Sequence, residues 1–260
     1  MTSIALSLRL YGSRIGRCRT VLENELNSLV AGLEVKIRIG ALYGRGWIRI
    51  DVEGEDETVA VNQMQRIYGT APSSLNSLKL PRIVSGHIVD SGKVGYGIYV
   101  DIGLLEPAPV DVLVPLHKLR AQLADGEKAP LRKIIETYCL VNDLPISLRL
   151  IRVDSKTARL EAEFSDAQIK VFDEWRKDGL DRILALGVPR ADAEEAMSKV
   201  GLRRDLAGIE SLSPFEQCFI CKFGTQAPGI IGRLGKGLPG IPLYIVHTNR
   251  LWLMLTRTEL

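Results

Sequence analysis

The sequence predicts an α+β protein of three units, with a small closed β-barrel between two layered α/β units. Three observations carry this expectation. Residues 86–103, G-H-I-V-D-S-G-K-V-G-Y-G-I-Y-V-D-I-G, hold two alternating runs around a Ser91-Gly92-Lys93 turn, which is the pattern of a bent hairpin. Further alternating runs bring the strands between residues 81 and 165 to five, with a short helix between the third and fourth, the order of an OB-type barrel. On either side, strand and helix periodicities follow β-α-β-β-α before the barrel and β-α-β-β-α-β after it, the order of ferredoxin-like units.

The totals bound what such a chain does. Its 260 residues suggest two or three domains of ordinary size. The net charge of +3, from 34 basic and 31 acidic residues, is far short of what coats nucleic acid nonspecifically, so any polyanion contact has to be local. No run approaches the roughly 20 apolar residues of a membrane span. The first residues alternate and lack a small-residue cleavage site, so a strand and a cytoplasmic location are expected rather than a signal peptide. Four dispersed cysteines make no disulfide framework.

In chain order, residues 4–10 alternate as a strand. Ser13 is placed to cap a helix whose stripe is Ile15, Cys18, Leu22, Leu26, Leu29 and Leu33. Val35, Ile37 and Ile39 alternate next, Tyr43-Gly44-Arg45-Gly46 turns the chain, and residues 47–52 alternate again. A helix over 55–68 closes a unit that lacks, or donates, its last strand. Residues 69–81, with Pro72 and Pro81, read as a linker and bound a first domain at 1–72. The barrel domain then spans 80–165: the hairpin, a loop at 106–109, a strand at 111–116, helical turns at 117–123 and 131–139, and a closing hairpin at 144–153 and 157–164. Ser165 caps a connecting helix that ends at Asp178-Gly179. The third domain, 179–260, reads as strand 181–186, helix 191–200, strands 205–212 and 216–223, helix 228–234, strand 241–246 and an edge strand at 250–255.

The string G-H-I, Y-G-I-Y-V-D-I-G, V-L-V-P-L-H-K-L, L-R-L-I-R-V-D and A-R-L-E-A-E-F resembles the S1 RNA-binding domain over about residues 81–165. Tyr96 and Tyr99 fall on the two aromatic positions of that pattern and Gly97 on its glycine. Pro115 stands where the pattern has histidine, and His117 where it has serine, so one usual RNA-facing group is missing or displaced. Over most of its length the chain also resembles an uncharacterised archaeal family, a domain of unknown function with an internal S1-like segment. That resemblance rests on S-G-K-V-G-Y-G-I-Y-V-D-I-G, L-V-P-L-H-K-L-R-A-Q-L and C-K-F-G-T-Q-A-P-G-I-I. It implies an archaeal source and carries no activity.

Exposed rings at Tyr96 and Tyr99 would stack on unpaired bases, and Lys93, His117, Lys118 and Arg120 are placed to neutralise phosphates. The plainer reading has the tyrosines cover the barrel or meet a protein. A second candidate is Arg14 and Arg17, with Arg19, at a helix N-terminus, together with Arg45 and Trp47 in the hairpin turn. Cations there oppose the helix dipole, and an anionic partner would explain them, against a solvated face paired to Glu23 and Glu25. Gly232-Arg233-Leu234-Gly235 has the G-x-x-G of a KH clamp, although glycines in a helix-to-strand turn account for it more simply. Cys218 and Cys221 have C-x-x-C spacing but lie in a strand, where residues three apart face opposite ways, so buried thiols are expected. Phosphate-loop, dinucleotide, G-x-S-x-G and H-E-x-x-H signatures are missing, and Glu194-Glu195 lies on an exposed helix face.

The expectation is therefore a non-enzymatic protein without cofactor or metal. It binds RNA or a ribonucleoprotein such as the ribosome, or RNA polymerase, through the barrel. A protein-interaction subunit that never touches RNA, and an RNA-processing or exosome-like cap factor, are the alternatives.

Overall fold

Apolar alternation in the first strand, with Ile4, Leu6 and Leu8 buried, sets the inner face of a three-stranded antiparallel sheet. The computed structural model describes residues 1–72, 74–104, 106 and 108–247. The sheet comprises β1 (Thr2–Arg9), β2 (Val35–Ile39) and β3 (Trp47–Gly54) in the order β1-β3-β2. Helix α1 (Ile15–Leu29) covers it with Cys18, Leu22 and Leu26, and α2 (Glu57–Tyr68) with Ala60 and Met64. Ser13 does not cap α1: the cap position is Arg14, and the Ser13 hydroxyl donates instead to the Gly240 carbonyl, 2.8 Å away in the third unit. The absent fourth strand is reduced to a stub. Ser7 N–H donates to Gly69 O at 3.3 Å and Ala71 N–H to Ala5 O at 3.0 Å, so residues 69–71 line the free edge of β1.

The middle unit is a closed barrel of β4 (Arg82–Val89), β5 (Gly97–Asp101), β6 (Val112–Pro115), β7 (Pro145–Asp154) and β8 (Arg159–Phe164). Its strands run β4-β5-β6-β8-β7, with β6 and β8 parallel and β7 returning to β4. Strand β4 starts four residues earlier than the expected 86, because β7 pairs with it from Arg82 onward. Helices α3 (Leu116–Leu123) and α4 (Leu131–Tyr138) lie between β6 and β7. Helix α5 (Asp166–Asp178) is capped by the Ser165 hydroxyl, which accepts from Gln168 N–H, and ends at Gly179. It is more than a connector: Phe172 meets Tyr138, Phe164 and Trp175 edge-on at 5.3, 5.7 and 5.8 Å and seals the barrel.

The third unit contains β9 (Arg182–Leu186), α6 (Arg190–Lys199), β10 (Leu206–Ser213), β11 (Glu216–Cys221), α7 (Ala227–Gly237) and β12 (Leu243–Val246), with an antiparallel sheet ordered β10-β11-β9-β12. Both faces of this sheet are buried. Ile183, Ala185, Phe219 and Cys221 pack under α6 and α7, whereas Leu184, Leu186, Cys218 and Val246 join the barrel core. The two cysteines are thus buried on opposite faces. Helix α7 runs past residue 234, so Gly232 and Gly235 lie inside a helix and form neither a clamp loop nor a turn. The strand expected at 250–255 lies outside the described residues. Phe215, in the β10–β11 turn, inserts into the core of the first unit and locks the third unit to it. Among the described residues no helix is long and apolar enough to cross a membrane.

Candidate nucleic-acid interface

The barrel hairpin is tight for a steric reason. At Gly97 a Cβ would lie 2.4 Å from Val114 O and 2.8 Å from Leu113 Cδ1, so only glycine lets β5 approach β6 this closely. That approach lets Leu116 N–H donate to Tyr96 O at 2.8 Å and sets His117, one residue on, beside the hairpin. Tyr96 is 55% exposed. Its ring meets Tyr99 edge to face, with centroids 6.3 Å apart, and the two hydroxyls are 2.9 Å apart. That hydrogen bond, with some burial, pushes the Tyr99 phenol above its ordinary range.

The other candidates on this side differ in how free they are. His117 is exposed. Lys93 pairs with Asp90 at 2.6 Å between two well-exposed side chains, a contact that competing water and salt leave weak. Lys118 is committed to Glu163 at 2.9 Å, and Arg120 donates Nε–H to Ala129 O at 2.8 Å. The parallel pairing of β6 with β8 adds a residue that sequence reasoning missed, Arg159. It is exposed, acts on the Tyr99 hydroxyl through its charge and makes no ion pair among the described residues. Only that parallel register, and no local motif, could have revealed it.

Trp47 is buried away from this surface, and Arg45, half-exposed, is engaged by carboxylates of the barrel. Trp47 is fully buried between the first unit and the barrel, where its indole N–H donates to Asp101 Oδ2 at 3.0 Å. Gly103 faces it at φ +80°, and a Cβ there would be 2.8 Å from the indole ring. The Arg45 guanidinium grips both oxygens of Asp111, at 2.7 and 3.0 Å, and reaches Asp101 at 3.3 Å. Arg14 and Arg17 do have an anionic partner, but it belongs to the same chain. Asp192, on α6, receives Arg17 at 2.9 Å and Arg14 at 3.4 Å. Arg19 pairs with Glu23 at 3.1 Å and donates to Ile39 O.

These contacts surround a buried polar junction of all three units. Arg9, only 5% exposed, lies 3.1 Å from Asp143 and over the Tyr11 ring. The Tyr11 hydroxyl donates to Glu216 Oε1 at 2.5 Å, and Ser213 bonds the other carboxyl oxygen. Burial pushes the Glu216 carboxyl up to about 8. His87 stands edge-on to Trp47 and Tyr11, and burial, then the Arg9 charge, push its imidazole down to about 3. No local signal marked this junction: Arg9 lies in the polar phase of its alternating strand, and only the packing of the other units buries it. Glu194 is an exposed partner of Arg190. Among the described residues no group of three or more histidine, cysteine or acidic side chains is placed to hold a metal ion.

Three family models match the chain: the DUF2110 N-terminal domain over residues 3–74, the DUF2110 central domain over 79–176 and the DUF2110 C-terminal domain over 180–246. The central match runs through most of α5, which packs on the barrel. No curated protein matches the chain. Among solved structures, a protein from vaccinia virus (Wisconsin strain) is 14% identical, over 34% of this chain and 89% of its own, with a TM-score of 0.23. A chain of the a/eIF2alpha-aDim2p-rRNA complex from Pyrococcus horikoshii OT3 is 12% identical, over 48% of this chain and 64% of its own, with a TM-score of 0.25.

Proposed function

We propose that this chain, which belongs to the DUF2110 family, binds single-stranded RNA in the cytoplasm through its barrel, as a non-enzymatic component of the translation or transcription machinery. The barrel is read as an S1-like OB-fold, on its strand order and the Gly97-centred hairpin, and the outer units as ferredoxin-like, the first with a stub for its last strand. One observation carries the functional reading. Tyr96, exposed, and Tyr99, half-buried, form an aromatic pair beside the exposed His117 and Arg159, the latter without an ion pair among the described residues. Such a platform stacks bases with little preference for sequence, while a few cations hold the backbone.

The experiment is fluorescence anisotropy of labelled single-stranded RNA. A Tyr96→Ala/Tyr99→Ala variant should lose roughly 1 to 3 kcal/mol for each base stacked. With so few free cations the salt slope should be shallow, about −1 to −2 in log K against log salt. Unchanged affinity in the double variant would sink the reading. The second reading is a docking surface for a protein of the ribosome or RNA polymerase. It is favoured by the commitment of Lys118 and Arg120 to partners within the chain. Capture of the same partner from nuclease-treated extract, through the same two tyrosines, would select it.

A further inference from the structure

Where the three units meet there is a cleft of about 260 Å³. The first unit contributes Ser7 and Tyr68, the barrel domain Ser85, His87 and Gln168, and the third unit Pro214. Among the described residues no lysine, arginine, aspartate or glutamate lines it. The volume lies just below the roughly 300 to 1,000 Å³ of sites that hold drug-sized ligands, which suits something smaller.

The Tyr68, Ser147 and Ser213 hydroxyls on the cleft are hydrogen-bonded, but four other polar side chains there keep free groups. His87 is only 3% exposed, yet its Nδ1 has no hydrogen-bond partner, a state that buried polar atoms seldom keep. The Ser7 and Ser85 hydroxyls make no hydrogen bond among the described residues. Gln168 uses its carbonyl oxygen to accept from Ser147 N–H at 3.1 Å, which leaves its amide N–H groups without a partner among the described residues. A neutral imidazole offers one donor and one acceptor, and the amide adds donors. Tyr68, Pro145 and Pro214 supply flat or apolar walls.

We infer that this cleft is a binding site for a neutral nucleobase, taken either as a free nucleoside or as one unstacked base of an RNA strand. A site without charged side chains does not compensate a phosphate, whereas donor and acceptor groups between apolar walls are how a lone base is read. The inference stands whether or not the tyrosine face binds RNA. Its occupant would touch all three units at once and so tie their arrangement to binding.

The test uses the full chain and the four common nucleosides, followed through the imidazole nitrogen resonances of His87, one of three histidines. At least one nucleoside should produce a saturable shift, while ribose and inorganic phosphate produce none. Ser85→Trp, at an exposed position on the cleft, should weaken that binding about tenfold or more, and Gln168→Ala should weaken it less. Tyr96→Ala/Tyr99→Ala should leave it unchanged. Displacement of the nucleoside by a short RNA would identify an RNA base as the occupant, and its persistence would identify the free nucleoside. The inference is overturned if no nucleoside binds saturably at millimolar concentration, or if binding ignores both cleft variants.

Discussion

Two hairpins of this chain put aromatic rings beside glycines, and they end in opposite environments. In Y-G-R-G-W, residues 43–47, the indole is fully buried and hydrogen-bonded to Asp101 of the barrel. In G-Y-G-I-Y, residues 95–99, Tyr96 stays more than half exposed and its hydroxyl bonds to that of Tyr99. One glycine in each permits a close backbone approach: Gly46 to Leu10 O in the first, Gly97 to Val114 O in the second. The glycines therefore mark tight packing behind the turn and say nothing of what meets the rings in front. For Trp47 that is another unit of the same chain.

The largest effect should come from removing the buried ring. Trp47→Ala should cost about 3 to 5 kcal/mol, read from the denaturant midpoint, because it opens a cavity and strips Asp101 of a donor. Should it cost no more than the exposed tyrosine pair, the contrast between the hairpins collapses.

Next comes the pH dependence of the junction that Trp47 helps to close. Glu216 has an ordinary value of 4.5 and is raised by burial to about 8, so the folded chain keeps a proton that the unfolded chain releases. Its contribution to stability is therefore present at low pH and lost as pH rises from about 4.5 to 8. His87 is lowered from 6.5 to about 3 by burial and then by Arg9, so its contribution is present above 6.5 and lost as pH falls toward 3. The two windows overlap between about 4.5 and 6.5, where the opposing slopes offset each other, and stability from these groups should decline on either side. Glu216→Gln retains an acceptor for Tyr11 and should flatten only the alkaline decline, by an amount on the order of a few kcal/mol at pH 8. Midpoints measured across pH check this, and an unaltered alkaline limb would exonerate Glu216.

Arg17→Ala should lower the denaturant midpoint only slightly, and by less in high salt, since the side chain is half exposed and Arg14 still serves Asp192. The smallest change in stability belongs to Tyr96→Ala/Tyr99→Ala, within about 0.5 kcal/mol by thermal melting. A large loss there would mean that the rings support the barrel and are not a free platform.

The alternation of apolar residues, the Ser165 cap and the Gly179 stop were legible because each acts over a few residues, whereas the close approach of Gly97 to Val114 was not. Strand β4 began early and α7 ran long because pairing with β7 and packing under the sheet extended them beyond their local signals. The partner of Arg14 and Arg17 was illegible for a different reason. Asp192 is 178 and 175 residues away, and nothing local distinguishes it from Asp178 or Asp181.

By itself, then, the sequence determined the order of strands and helices and the barrel hairpin with its two tyrosines, since turn chemistry and side-chain periodicity are local. Only the tertiary structure decided that Trp47 is buried against the barrel, that Arg45, Arg14 and Arg17 find carboxylates on other units, and that Arg159 comes to stand by Tyr99. An aromatic ring or a guanidinium gains from burial against a carboxylate as readily as from an RNA strand. Which of the two it meets depends on how distant surfaces of the folded chain fit together.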